Sequence, residues 1–215
     1  MSTLDREFWI GFVDRLVAVF EENEPRLCGY DGATGDGDHG TSMLHGFREA
    51  QKGLRATPPA DVGEVIRRTG EAFLENVGGV TGIVFGSLLI SAGEGGAGLP
   101  GTDTAALYSM LLLGLEAVKK RGKAVEGDKT MVDALSPAVA ALRTAAEAGD
   151  PVETALAKAA RAAQTGMEAT VAMEAKVGRA RYQSGKGSGH VDAGAASICL
   201  FFQTLSQAAA TLSAS

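Results

Sequence analysis

The sequence predicts an all-α fold, a single domain over residues 1–215 built as an antiparallel assembly of eight helices. Apolar residues recur at helical spacing along nearly the whole chain, no convincing run of alternating β-branched residues remains between them, and the breaks are short. No internal repeat points to a solenoid.

The elements follow in order. Trp9, Phe12, Val13, Leu16, Val17 and Phe20 trace one face of a first helix over residues 3–23, and a second spans 40–56. After the Pro58-Pro59 break, Val62, Val65, Ile66, Thr69 and Phe73 continue the pattern over 60–77, followed by a fourth helix at 82–93. Leu107, Met110, Leu111, Gly114, Leu115 and Val118 repeat it over 102–121, and a sixth helix covers 129–148. Gly149-Asp150-Pro151-Val152-Glu153 reads as the clearest boundary: a glycine closing one helix, then an N-cap Asp, Pro at N1 and Glu at N3 of the next. The seventh helix, 151–175, is alanine-rich, which favours helix and permits close packing, and the eighth spans 190–212.

Composition narrows the function classes. With 45% hydrophobic and 21% charged residues the 215-residue chain reads as globular, with a core of Ala, Leu, Val and Ile because aromatics reach only 6%. Twenty basic against 26 acidic residues, a formal charge of -6, supply no electrostatic footprint for nucleic acid. Cys28 and Cys199 define neither a disulfide framework nor a metal cluster, so free thiols in a reducing compartment are expected. The first residues show no cationic stretch followed by an apolar run, and glycines break the long uncharged stretch at 77–93. The expectation is a cytoplasmic protein without a membrane partner.

If the helices alternate in direction, alternate connections share one end of the molecule. Those at 31–41, 77–82, 121–129 and 176–190 are then neighbours, and they are also the glycine-rich, polar ones. The connections at the other end, around 57–59, 94–101 and 149–150, show less convergent polarity. A composite site on loops held by a rigid scaffold follows.

The densest chemistry lies in Asp31-Gly-Ala-Thr-Gly-Asp36-Gly-Asp38-His39-Gly40-Thr41-Ser42. Three ionised aspartates within eight residues repel one another unless a hard cation or solvent screens them, and glycines let backbone and carboxylates converge. Asp and Gly are also ordinary turn formers, but the convergence of carboxylates among glycines favours the cation site over a bare turn. Gly35-x-Gly37-x-x-Gly40 matches the dinucleotide fingerprint, but a helix rather than a strand precedes it. An EF-hand starting at Asp36 would put Gly40 at position 5, Thr41 at the glycine position and Phe47 at the bidentate glutamate position, which excludes it. No Gly-x4-Gly-Lys-Ser/Thr occurs; Lys186 is followed by Gly187. Carboxylates binding Mg2+, with the metal gripping phosphate oxygens, remain.

Four blocks in order carry a resemblance over nearly the whole chain. They are Asp31-x4-Gly35-Asp36-Gly37-Asp38-His39-Gly40; Gly78-Gly79-x-x-Gly82; Gly127-Asp128-Lys129-Thr130-Met131-x-Asp133-Ala134-Leu135; and Gly178-Arg179-Ala180 with Gly189-His190-x-Asp192-x-Gly194-Ala195. The chain resembles the nucleotide-binding L subunits of dihydroxyacetone kinases. The resemblance implies an eight-helix barrel binding ADP or ATP at one end through two Mg2+ ions held by Asp31, Asp36 and Asp38. It implies that His39, Gly40, Thr41, Ser42, Val80, Thr81, Gly122, Met131, Arg179, Asp192, Ala193 and Gly194 line the nucleotide pocket. The chain departs from the family pattern in Ser42 for Asn, Thr81 for Ser, Ala193 for Pro, and Ser184-Gly185-Lys186-Gly187 for Gly-Glu-Arg-Ser.

By the same resemblance the expected activity is that of a kinase subunit, inactive alone. It would pass a phosphoryl group to a short-chain ketose held covalently by a histidine of a separate K-type subunit. The donor is either exchangeable ATP or an ADP coenzyme recharged by a phosphotransferase-system protein; a homodimer is left open. The alternative expectation is a nucleotide-loaded regulatory protein that binds a transcription factor. A fatty-acid kinase relative fits less well, since it calls for Thr rather than His39 after Asp-Gly-Asp and for a longer chain.

Overall fold

The computed structural model describes residues 3–212, and among them eight α-helices account for nearly all regular structure. They are α1 (Arg6–Gly32), α2 (His39–Ala56), α3 (Val62–Asn76), α4 (Gly79–Gly95), α5 (Thr104–Gly122), α6 (Val132–Ala148), α7 (Val152–Ala169) and α8 (Ala193–Leu212). Each packs on the next, and α8 closes on α1, so the eight form a ring rather than an open array.

Aspartates start most of the helices at one end of that ring. Asp5, Asp61 and Asp103 each accept the third helical amide of α1, α3 and α5 at 2.8 Å. Starts of odd-numbered helices also meet one another: Arg6 donates to the Pro59 carbonyl at 3.4 Å, and Thr104 Oγ1 donates to the Asp150 carbonyl at 2.7 Å. A two-residue antiparallel pair, β1 (Leu4–Asp5) with β2 (Gly101–Thr102), ties α1 to α5 there. Sequence alternation gave no sign of this pair, whose strands are too short to show a period. Up-and-down alternation then places the starts of α2, α4, α6 and α8 at the opposite end.

Several boundaries differ from the sequence expectation, most of all the ends of α1 and α7 and the start of α8. Helix α1 runs through Pro25 to Gly32 instead of ending near 23. Proline removes one helical hydrogen bond, but Leu27, seven residues past Phe20, continues the apolar stripe and is fully buried. Helix α7 ends at Ala169 rather than 175, passing into a short 3-10 turn over Thr170–Ala172, and α8 starts at Ala193 rather than 190. Gly149 closes α6 in the left-handed conformation, as expected, at φ 70°. The N-cap position of α7 is Pro151, however, and the Asp150 carboxylate pairs with Lys158 Nζ at 2.5 Å.

The ring interior is apolar and packed. Phe20, Phe47, Phe73 and Phe85 form its aromatic centre, with Phe47 at 4.8 Å from Phe20 and 4.9 Å from Phe73 between ring centroids. Beneath them lies a void of only 20 Å³ lined by Trp9, Phe12, Leu16, Phe47 and other apolar side chains. Helix α8 is long and apolar enough to cross a membrane, yet 67% of that stretch is buried inside the ring, which accounts for its composition.

Candidate functional site

The opposite end of the ring holds an open cavity of about 840 Å³, within the usual range of small-molecule sites. Its wall is contributed by the starts of α2 (His39, Ser42), α4 (Val80, Thr81), α6 (Val132) and α8 (Ala193, Gly194). Four helix N-termini therefore meet at one cavity. Each carries unpaired amides and about half a positive charge, so their convergence favours an anion.

Three carboxylates sit at the same mouth. Ligand oxygens from Asp31, Asp36 and Asp38 lie within 4.8 Å of one another. Because α1 continues past Pro25, Asp31 stands on its last turn, and its Oδ2 accepts the Gly37 and Asp38 amides at 2.8 and 3.1 Å. Those two bonds fold the loop back so that Asp36 and Asp38 return to Asp31. Asp38 occupies the N-cap position of α2 but makes no capping bond, unlike Asp5, Asp61 and Asp103. Its carboxyl is held above the usual range by burial, with Asp36 and Asp31 adding repulsion. Three carboxylate oxygens this close make a donor set that suits a hard cation such as Mg2+. The negative C-terminal end of α1 adds to the attraction for a cation.

A fixed cation lies beside the triad. Arg179 pairs through Nη1 with Asp36 Oδ2 and holds the Asp36 carboxyl below its ordinary value by hydrogen bonding first and charge second. His39 is buried, with Nε2 at 2.8 Å from Ser197 Oγ and Nδ1 at 3.5 Å from Thr81 Oγ1. Burial pushes its pKa down to about 4, so it is a neutral polar wall at pH 7. Asp192 accepts the Ala195 amide at 2.7 Å, capping α8, while burial pushes its pKa up to about 6.

Of the residues expected from sequence, the cavity gathers Asp31, Asp36, Asp38, His39, Ser42, Val80, Thr81, Gly122, Met131, Arg179, Asp192, Ala193 and Gly194. Gly40 and Thr41 do not line it. The helical turn aims His39 and Ser42 at the cavity and the two residues between them at α1. Thr41 Oγ1 donates to Glu24 Oε1 at 2.7 Å, and Gly40 lies against the Glu24 carbonyl, with Cys28 Sγ 2.9 Å from where a Cβ would stand. Gly40→Ala is therefore expected to force α1 and α2 apart and destabilise the chain by about 1–3 kcal/mol. Urea unfolding measures this, and an unchanged midpoint would show that the contact is not tight.

The cavity also contains residues that sequence reading left unassigned, among them Phe85 at its wall and Arg121, Lys123, Lys129 and Thr130. Lys129 and Thr130 belonged to an expected helix at 129–148 but form a turn before α6, with Lys129 at φ 60°. Asp133 fixes that turn by accepting the Gly127 and Thr130 amides at 2.5 and 2.7 Å. The block around Gly127 was visible in sequence; the left-handed turn inside it was not.

The DAK2 domain family matches residues 33–207. The chain is 35% identical, over 96% of its length and 99% of the relative's, to "PEP-dependent dihydroxyacetone kinase, ADP-binding subunit DhaL" of Escherichia coli (strain K12). It is 32% identical, over 95% of its length and 97% of the relative's, to "PTS-dependent dihydroxyacetone kinase, ADP-binding subunit DhaL" of Lactococcus lactis subsp. lactis (strain IL1403). Among solved structures, the dihydroxyacetone kinase from C. freundii in complex with AMP-PNP and Mg2+ aligns with a TM-score of 0.73 at 26% identity, over 96% of this chain and 35% of that one.

Proposed function

The chain belongs to the DhaL family of DAK2-domain proteins, and on that premise we propose that it is the ADP-binding, phosphoryl-transferring subunit of a dihydroxyacetone kinase. One observation carries the reading. Four helix N-termini and Arg179 surround three converging aspartates at the mouth of an 840 Å³ cavity, so anion-binding and cation-binding groups serve one pocket. A metal-bound diphosphate needs both.

In this reading Asp31, Asp36 and Asp38 hold Mg2+, two ions by family resemblance, and the metal supplies charge neutralisation between carboxylates and phosphate when bound. The chain's own groups do the rest. Arg179 presents its guanidinium to the phosphate end, and Ser42 and Thr81 offer hydroxyl donors. Met131, largely buried and on the cavity wall, gives a polarizable face for the base. His39 stays uncharged at pH 7 and so adds no positive charge beside the metal loop. A bound nucleoside triphosphate would supply its terminal phosphoryl to a hydroxyl oxygen of a short-chain ketose on a K-type partner, with the diphosphate kept here and the hydroxyl proton released. Val80 and Tyr182, 68% and 76% exposed at the cavity mouth, leave apolar surface there for such a partner.

The names of the relatives, PEP-dependent and PTS-dependent, favour ADP as a resident coenzyme recharged by a phosphoprotein. Native mass spectrometry is expected to find the chain carrying ADP and Mg2+. Mixed with a K-type subunit and dihydroxyacetone, it is expected to turn over with a phosphorylated phosphotransferase-system protein and not with ATP alone. Turnover with ATP alone would replace the coenzyme version by the ATP version. No turnover with either donor, with nucleotide still bound, would favour the regulatory alternative.

A further inference from the structure

Lys129 stands out among the residues that the proposed function does not use. It is a non-glycine residue in the left-handed region, at φ 60°, and only 4% exposed. Backbone of this kind persists where the surroundings over-determine it, often at a functional site. A buried ammonium also loses its hydration, and burial accordingly holds the Lys129 pKa below its ordinary value. Something must require the cation.

What it holds is the segment 170–192 that joins α7 to α8. Lys129 Nζ donates to the Thr170 carbonyl and, at 2.6 Å, to the His190 carbonyl, clasping the two ends of this strap. The charges of Asp192 and Asp133 favour the ammonium there. Gly187, at φ 72°, lets the strap cross the lysine stem: a Cβ at that position would come 3.1 Å from Lys129 Cε and 2.9 Å from Thr34 Cγ2. Further bonds close the base of the strap. Gly189 N donates to the Val171 carbonyl at 2.8 Å, Ala175 N to the Lys186 carbonyl at 2.9 Å, and Asp192 N to Thr170 Oγ1 at 3.0 Å. The strap carries Arg179, which reaches Asp36 in the metal loop, and it ends on Asp192 at the start of α8.

We propose that Lys129 is a positioning residue for the nucleotide: by clasping both ends of the strap it sets where Arg179 and Asp192 stand against the aspartate triad. The inference rests on the Mg-nucleotide reading above. A neutral side chain at 129 would leave the buried Thr170 carbonyl and the part-buried His190 carbonyl without their donor and would remove a positive charge near Asp133 and Asp192, so the strap would loosen and Arg179 would lose its place.

The test is a double-mutant cycle on the full chain, with Mg-ADP affinity read by calorimetry and helical content by circular dichroism. K129M is expected to weaken Mg-ADP by about 10-fold or more with helical content kept, and R179M to weaken it comparably. The double variant should bind within about twofold of the weaker single one, because Lys129 acts through Arg179. K129R should recover part of the loss. Amide exchange on the wild-type chain adds a readout independent of nucleotide: Ala175 and Gly189 should be protected, and faster to exchange in K129M. Unchanged Mg-ADP affinity in a folded K129M, or losses that multiply fully in the double variant, would overturn the proposal. If K129M does not fold, K129Q takes its place in the cycle. Unprotected Ala175 and Gly189 amides in the wild type would overturn the clasp without any variant. Failure of the wild type to bind Mg-ADP overturns the nucleotide reading and this inference together; binding that K129M leaves intact overturns this inference alone.

Discussion

Asp36→Asn is expected to abolish Mg-dependent ADP binding while leaving the helical ring folded. The substitution keeps the size of the side chain and removes its charge, so any loss reports on charge rather than packing. Two interactions end at once: one of three carboxylate ligand atoms within 4.8 Å is neutralised, and the Arg179 guanidinium loses its paired carboxylate. Losing an outer-shell partner of a metal site typically weakens binding 10- to 100-fold, so loss of a ligand carboxylate is expected to exceed about 100-fold. Stability should hardly change, because Asp36 is exposed and its removal also relieves repulsion with Asp38. Calorimetric titration of ADP with and without Mg2+ gives the affinity, and a thermal melt checks the fold. ADP binding that is undiminished and still Mg-dependent would reject the aspartate triad as the metal site.

Much of this site was legible in sequence because its determinants are local. The Asp31 to Ser42 segment names its own carboxylates, and helix parity brings four loops together without any contact being known. What stayed hidden depends on partners distant in the chain. Pro25 reads as a helix breaker until burial of Leu27 is seen to carry α1 onward, and with it Asp31 moves from a loop onto a helix end. Gly40 and Thr41 share a motif with His39 yet face α1, since a helix turns about 100° per residue and a motif does not record direction. Lys129 lies in a conspicuous block, but its meaning comes from carbonyls 41 and 61 residues away. The convergence of helix N-termini follows from the same parity that placed the loops, and it brings donors suited to an anion beside the carboxylates to which the sequence had pointed as a candidate cation site.

Phe47→Ala should have the opposite consequence, a large loss of stability with the site chemistry kept. Phe47 is fully buried at the centre of the aromatic cluster, 4.8, 4.9 and 6.2 Å from Phe20, Phe73 and Phe85 between ring centroids. It also borders the small interior void, so truncation would enlarge an existing space that the helices already fail to close. Burying a Phe and then deleting it typically costs 3–5 kcal/mol in transfer and cavity terms, and the upper part of that range applies where collapse is blocked. For a chain of this length that corresponds to a fall of roughly 6–20 °C in melting temperature. The loops at the cavity end have anchors of their own, in Asp31 on Gly37 and Asp38, Asp133 on Gly127 and Thr130, and Lys129 on the strap. Mg-ADP affinity measured well below the melting point should therefore stay within a few-fold of wild type, and bound Mg-ADP should restore part of the lost melting temperature by mass action. A destabilisation under about 1 kcal/mol would mean that Phe20, Phe73 and Phe85 repack over the gap. A large affinity loss in folded Phe47→Ala would mean that Phe85, shared between the aromatic centre and the cavity wall, transmits core packing to the pocket.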